Sequence, residues 1–400
     1  MKVLILAAGE GRRMRPLTDT RPKVMLPLAN KPMLEHLLVE IKKAGIQEFI
    51  IVIGYQGETI RDYFKDGRKW DIHISYVTQE KCAGTADALR LAQGLVNEEF
   101  LAVNGDVLLR EADVRQLISK GSTAISLVEL KKVQHLGVAE VDGARVMRLH
   151  EKVAQPPSNL ANAGAYLFTL KIFEAISRIT LSPRGEYEIT DALQWLLDRG
   201  EHVTYHMLTH WLDLTHPWDL LSANESLIAA IEPDNQAEAE ANIVLKGPIS
   251  VGPGTIIRAN SYIIGPVIIG RDCQIGPNSY IRPHTSIGDS CHIGSAVEIK
   301  NSIIMKGSRI PHHNYIGDSV IGEDCNFGAG TKIANLRLDK KEIAIQGIKT
   351  GRTKLGAIIG DGVQTGINAS INTGSLVGSY SYIGPGAIAG GVIAPHSRIH

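Results

Sequence analysis

IGRDCQIGPNSYIRPHTSIGDSCHIG, residues 269–294, places an isoleucine at every sixth position: Ile269, Ile275, Ile281, Ile287 and Ile293. The spacing runs back through Ile263 and Ile257 to Val251, and forward through Ile299 to Met305. Glycine follows several of these residues, at Gly252, Gly270, Gly276, Gly288 and Gly294. This hexapeptide register is specific for a parallel β-helix, in which three hexapeptides make one triangular coil. Apolar residue i and the small residue at i+4 then point inward, and coils stack at about 4.8 Å. The phase is expected to slip near Pro311 and to resume at Ile321, Phe327 and Ile333. It breaks over Leu336–Leu355 and returns at Ile359, Thr365, Ile371, Val377 and Ile383.

The rest of the chain has a different character. Of 40 glycines, 15 lie up to Lys246 and 25 from Gly247 onward. Four hundred residues exceed what one core supports, so two domains are expected: 1–231, a linker over 232–244, and 245–400. Lys and Arg total 42, as do Asp and Glu, and aromatics are 5%. That balance argues against a nucleic-acid binder while leaving room for local basic sites. The run Val3–Ala8 is short and is followed by charges, so it predicts a buried strand, not an export or membrane segment. Cys82, Cys273, Cys291 and Cys325 form no CxxC pair, which fits a reducing cytoplasm. The last three occupy the i+4 slot and are expected to fill the core.

Up to residue 231 strands and helices alternate, predicting an α/β sandwich around a mixed, mostly parallel sheet. Strands are expected at Lys2–Ala8, Glu48–Ile53 and Phe100–Val103, with more over 123–169. Helices are expected at Pro32–Ala44, Thr85–Leu95, Asp191–Leu197 (capped by Thr190 or Asp191) and Ser222–Ile231. Within this half, Gly9-Glu10-Gly11-Arg12-Arg13-Met14 follows a strand. Glycines there let backbone N–H groups approach phosphates, and Arg13 adds a planar fork of donors. Taken alone, a GxG turn is often only a turn. Lys23 could bring a second cation to the same phosphates, although an isolated lysine is usually a surface charge. Asp106 ends a strand and Asp213 sits in Trp211-Leu212-Asp213; together they could hold Mg²⁺ against a triphosphate, while a single aspartate there is more often a turn or cap.

The ordered set LAAGxGxRM, PK, GD and WxD resembles the sugar-1-phosphate nucleotidylyltransferase family over about residues 1–230. The resemblance implies a GT-A-like fold and a Mg²⁺-dependent attack of a sugar-1-phosphate oxygen on the α-phosphorus of an NTP. Arg13 and Lys23 would neutralise phosphate charge, with Mg²⁺ between Asp106 and Asp213. Gly9 and Gly11 would line the phosphates, and Gln79, Gly84 and Thr85 match the base-reading segment. Gly137, Glu151, Asn162 and Tyr166 match positions lining the sugar. Glu186, Glu188 and Asp191 could touch sugar or metal, or serve the neighbouring helix.

In the repeat, Arg282 and Lys300 stand where glycine or a small residue is frequent, one full coil apart. Two cations stacked on adjacent coils repel unless an anion lies between them, yet outward basic residues can simply solubilise. His312 lies in the irregular stretch Pro311–Tyr315, where a general base could sit. Arg282, Lys300, His312, Tyr315, Asn326 and Asn335 fall at spacings that resemble the left-handed β-helix acetyltransferase domain of bifunctional N-acetylglucosamine-1-phosphate uridylyltransferases, the archaeal form above all. That implies His312 as base for acetyl transfer from acetyl-CoA to an amino-sugar-1-phosphate. Arg282, Lys300, Tyr315 and Asn326 would bind that substrate, and Ala329 and Asn335 would lie along acetyl-CoA. It also implies a homotrimer with each site at a subunit boundary. The basic excursion Arg337–Lys354 could meet the CoA phosphates, or be a solvated loop. Two alternatives remain: a nucleotidylyltransferase whose β-helix is only an oligomerisation platform, and a non-enzymatic regulatory subunit.

Overall fold

The computed structural model describes residues 1–134, 136–212 and 214–400. The chain divides into two compact units: residues 1–10, 21–25 and 33–212, and residues 11–20, 26–32 and 213–400. Among the described residues no helix is long and apolar enough to cross a membrane.

The first unit is built on a mixed sheet. Along it lie His73–Thr78, Glu48–Ile53, Lys2–Ala7, Phe100–Asn104, Leu160–Phe168, Ala124–Glu129, Thr204–Met207, Arg145–His150 and Val138–Asp142. The first four strands are parallel. Beyond them only Thr204–Met207 with Ala124–Glu129 is parallel, and the other pairs run antiparallel. The sheet is therefore less parallel than expected. A two-residue return such as Gly143-Ala144 can join only antiparallel strands, because a parallel crossover needs a dozen residues or more. Successive strand residues face opposite sides. Val3, Ile5 and Ala7 pack with helices Met33–Lys43 and Glu111–Ile118, while Leu4 packs toward Thr85–Leu91, Lys171–Ile176 and Ile189–Leu197.

Helix Ile189–Leu197 starts earlier than its sequence suggests. Glu188 is its N-cap residue and makes no side-chain cap bond, so neither Thr190 nor Asp191 caps it. The Thr190 hydroxyl donates to Glu151 Oε2 at 3.0 Å instead.

The second unit carries three parallel sheets in which each strand pairs with the one a coil later. The first contains Ile249–Val251, Val267–Ile269 and Thr285–Ile287; the second, Ile256–Ile257, Gln274–Ile275 and His292–Ser295; the third, Tyr262–Ile264, Tyr280–Ile281 and Glu298–Lys300. This is the connectivity of a parallel β-helix. Pairing already begins at Asp234–Asn235, inside the segment expected to be a linker. The interior is a continuous column of isoleucine and valine that includes Cys273, Cys291 and Cys325. Burial pushes the Cys325 thiol up to about 12, as suits a core filler that neither attacks nor ligates.

The phase slip differs from its expected position. Ile287 pairs with Ile304, Ile293 with Ile310 and Ile299 with Ile316. Ile304, not Met305, is thus the interior residue, and the slip falls between Ile299 and Ile304, where Asn301 turns the chain at φ 45°. A second five-residue step separates Ile316 from Ile321, and Val377 pairs with Ile393 after a shortened coil. From Val251 onward every change of length falls where the third sheet hands over to the first. The excursion after Ile333 leaves at the same corner, with a Leu336–Lys354 bridge at its base and a hairpin of Ala344–Ile345 with Ile348–Lys349. The corner between the second and third sheets keeps steps of six throughout, and the one between the first and second does so after a four-residue step from Asn235 to Ala239.

On the first sheet, Ser286 Oγ donates to Asn224 Oδ1 at 3.1 Å, fastening helix Asp219–Ile228 there. Asn224 Oδ1 also accepts the Ala29 N–H at 2.9 Å.

Candidate functional site

In the first unit the residues of interest gather at the carboxyl ends of the parallel strands, where open α/β sheets bind ligands. Gly9 follows Lys2–Ala7. Asp106 follows the neighbouring strand Phe100–Asn104, and Lys23 Nζ lies 2.5 Å from Asp106 Oδ2. Gln79 ends the His73–Thr78 edge; its Nε2 donates to Gly84 carbonyl at 3.2 Å and to Asp87 Oδ2 at 2.9 Å. Thr85 Oγ1 accepts the Ile189 N–H at 3.2 Å, and Ala86 N–H donates to Tyr187 carbonyl at 2.9 Å. The segment expected to read the base is thereby joined to residues 187–189.

The residues expected to line the sugar converge as well. Asn162 Nδ2 donates to the Tyr166 hydroxyl at 2.8 Å, and the Asn162 N–H donates to Gly137 carbonyl at 2.8 Å. A Cβ on Gly137 would lie 2.9 Å from Glu151 Oε2, so glycine leaves that carboxylate its place. Arg184, which no sequence motif marked, reaches Glu188 at 2.5 Å, Glu151 at 3.2 Å and Glu186 at 3.7 Å. Burial works against its charge, but the Glu188 hydrogen bond and the nearby carboxylates outweigh that and raise its pKa. Asp191 is pushed up by burial, then by Glu188 and Glu151. Asp213 lies outside the described residues.

Arg13 and Gly11 belong to the second unit. Gly11 precedes the single turn Arg12–Met14. Arg13 lines a cavity of about 470 Å³ with Trp218, Ile345, Ile348 and Leu376.

On the β-helix the outer face of the third sheet holds the two cations. Ile281 pairs with Ile299, which sets Arg282 one coil from Lys300, and Lys300 pairs with Gly317. Each cation has a carboxylate: Arg282 Nη1 lies 2.9 Å from Glu298 Oε1, and Lys300 Nζ lies 3.0 Å from Asp318 Oδ2. The Glu298 hydrogen bond raises the pKa of Arg282. Asp318 is buried and also accepts from the side chains of Asn301 and Asn335. Neither Glu298 nor Asp318 was singled out in the sequence. A Cβ on Gly317 would come within 2.7 Å of both the Tyr315 hydroxyl and the Asn335 amide, so this glycine lets those two groups close in over the backbone beside Lys300.

His312 is exposed at the end of strand Arg309–His312, at the corner between the second and third sheets. Its charge reaches His292, whose pKa is lowered by burial first and then by Arg309 and His312. Asn326 lies on the second sheet beside Arg309, and Ala329 in the turn that follows. One chain therefore brings Arg282, Lys300, Tyr315 and Asn335 to one face and sets Asn326 and Ala329 around the corner. In the excursion, Arg337 pairs with Asp339, and Arg352 with Glu225, while Lys340 and Lys341 are exposed.

Comparison with known proteins agrees with both halves. A family profile described as nucleotidyl transferase matches residues 2–230, and one described as GMPPB C-terminal domain matches residues 263–366. The chain is 40% identical to the bifunctional protein GlmU of Methanocaldococcus jannaschii, over 96% of this chain and 93% of that protein. It is 39% identical to the bifunctional sugar-1-phosphate nucleotidylyltransferase/acetyltransferase of Sulfurisphaera tokodaii, over 97% of each. A solved UDP-glucose pyrophosphorylase complexed with UDP-glucose superimposes with a TM-score of 0.53 at 26% identity, covering 57% of this chain and 99% of that one. From the nucleotidyl transferase match and from relatives that span both units, the chain belongs to the family of bifunctional sugar-1-phosphate nucleotidylyltransferase/acetyltransferase enzymes.

Proposed function

We propose that this enzyme makes an activated acetylated amino sugar by two transfers. In the first, glucosamine-1-phosphate takes the acetyl group of acetyl-CoA. In the second, N-acetylglucosamine-1-phosphate or glucose-1-phosphate takes a nucleotidyl group from UTP or dTTP and releases pyrophosphate. The observation that carries the acetyl transfer is the grouping of Lys300, Tyr315 and Asn335 about Gly317, with Arg282 one coil away. Two cations on one face suit a sugar phosphate. The amine attacks the acetyl carbonyl, His312 takes its proton, and CoA leaves as the thiol.

Asn326 and Ala329 lie on another face from Arg282 and Lys300, which supports assembly of three copies, the second-sheet face of one meeting the third-sheet face of the next. Residues 245–400 would be the acetyltransferase domain, a left-handed coil, and residues 1–231 the nucleotidylyltransferase domain. Residues 232–244 would join them while already pairing with the coil through Asp234–Asn235 and Glu238–Ala239. Free cysteines suit a cytoplasmic enzyme.

For nucleotidyl transfer, Gln79, Gly84 and Thr85 would read the base, and Gly137, Glu151, Asn162 and Tyr166 would bind the sugar. Gly9 and Gly11 would border the phosphates, with Arg13 and Lys23 neutralising them. Asp106 fits a Mg²⁺ ligand: it is a hard oxygen donor that already faces the Lys23 ammonium. The ion would be held by Asp106, Asp213 and substrate oxygens. When bound, Mg²⁺ supplies charge neutralisation on the triphosphate.

The deciding assay mixes the protein with glucosamine-1-phosphate, acetyl-CoA, Mg²⁺ and UTP or dTTP, and follows free thiol and pyrophosphate. Both are expected. Pyrophosphate formed from N-acetylglucosamine-1-phosphate without any thiol release would reduce the β-helix to a platform. A finer expectation concerns Asp318. Asp318→Asn removes the counter-charge of Lys300, whose side chain is only 16% exposed. The KM for glucosamine-1-phosphate should rise about tenfold, since a charge-assisted contact that fixes the ammonium is lost. Steady-state acetyl transfer measures it, and an unchanged KM would remove Asp318 from the site.

A further inference from the structure

We infer that Arg184 is a specificity-determining residue that turns the nucleotidyl-transfer pocket against sugar phosphates carrying a free ammonium and toward neutral ones. The inference rests on the nucleotidyl-transfer function proposed above and concerns what that site selects.

Four carboxylates crowd this part of the first unit: Glu151, Glu186, Glu188 and Asp191. The basic groups that reach them are Arg184 and Lys152, the latter 3.3 Å from Glu151 Oε1. Glu188 is buried, and besides Arg184 it accepts from the Ser182 hydroxyl at 3.1 Å. Glu151 links the cluster to the sugar-side residues. Its Oε1 meets Arg184, while Oε2 takes the Thr190 hydroxyl at 3.0 Å and faces Gly137.

Such a pocket without Arg184 would be a strong ammonium site. Of Glu151, Glu186 and Glu188, only Glu151 would keep a cation among the described residues, Lys152. With Arg184 present, the positive charge is already supplied by the chain. An incoming ammonium meets the guanidinium at short range and finds its carboxylates engaged. A hydroxyl or an acetamide meets no such repulsion and can still hydrogen-bond to Glu151. Arg184 sits in the turn Pro183–Gly185 and keeps 36% of its side chain exposed, so it adds charge to the pocket without filling it. The device would leave un-acetylated glucosamine-1-phosphate to the acetyl-transfer site and admit the product.

The test is pyrophosphate release from UTP and Mg²⁺ without acetyl-CoA, comparing kcat/KM for glucosamine-1-phosphate with that for N-acetylglucosamine-1-phosphate. Arg184→Gln, which keeps length but not charge, should shift the ratio toward glucosamine-1-phosphate by at least about tenfold, or about 1.4 kcal/mol. Arg184→Lys, which keeps the charge, should hold the ratio near that of the wild type. If Arg184→Gln lowers both sugars equally or leaves the ratio unchanged, Arg184 only braces the turn and the inference is wrong. Should the wild type release no pyrophosphate from either sugar, the nucleotidyl-transfer function itself fails, and this inference with it.

Discussion

His312→Ala is expected to lower thiol release from acetyl-CoA about 10²- to 10⁴-fold, the usual worth of a general base. Pyrophosphate release from N-acetylglucosamine-1-phosphate should stay within about twofold, as for sites that share no partner. The contrast is sharp because the ring of His312 has little structural work. Its backbone pairs with Ser295, and its carbonyl accepts the Gly330 N–H at 2.9 Å, bonds that alanine preserves. Its side chain is exposed, so truncation opens no cavity. His292 is the natural control. It lies near enough to feel the charge of His312, yet burial, Arg309 and His312 all lower its pKa. His292→Ala should therefore spare most of the acetyl transfer. Full thiol release from His312→Ala would end the assignment of the base, and a matching loss in His292→Ala would move it.

Asp106→Asn should reduce pyrophosphate release at least about 100-fold, in line with removing one preorganised electrostatic group from a phosphoryl-type transition state. Acetyl transfer should continue. Raising Mg²⁺ should recover part of the rate, because a weakened ligand set shifts the activation curve to higher concentration. Lys23 gives this prediction a second handle. Its ammonium lies 2.5 Å from Asp106 Oδ2, so each holds the other in place. Lys23→Ala combined with Asp106→Asn should cost less than the product of the single losses, since contacting groups are not additive. Wild-type pyrophosphate release from Asp106→Asn, with an unshifted Mg²⁺ curve, would remove Asp106 from the metal site.

The coil was legible because its interior is narrow: one inward residue in six must be apolar, and that leaves a period in the sequence. The slip was not, for a local reason. Ile303, Ile304 and Met305 are all apolar, so either register could be threaded through them. Backbone pairing chose Ile304. Arg282 and Lys300 could be read because they break the pattern at a slot usually kept small. Their counter-charges could not. Glu298 merely opens a short strand on the next coil, and Asp318 looks like any turn aspartate until Lys300 is stacked beside it.

In the first unit, motif order pointed to Lys23, Asp106 and Gln79, and adjacent strand ends explain why those segments cluster. Arg184 lies in Pro183-Arg184-Gly185, a turn with no periodicity and no motif. Its importance arises only because Thr85 and Ala86 bind residues 187–189 and draw the turn toward Glu151. The misjudged helix cap has the same origin. The Thr190 hydroxyl was free, on paper, to close its own helix, and in the folded chain it serves Glu151.

The corner where the third sheet hands over to the first can lose a residue or admit an excursion, while the corner that carries His312 keeps its six-residue step. The coil thus has one edge open to insertion and deletion and another on which the spacing of reacting groups is conserved by construction. New loops, tags or fused domains can be grafted onto the first edge, by evolution or by design, without re-aiming a side chain on the second.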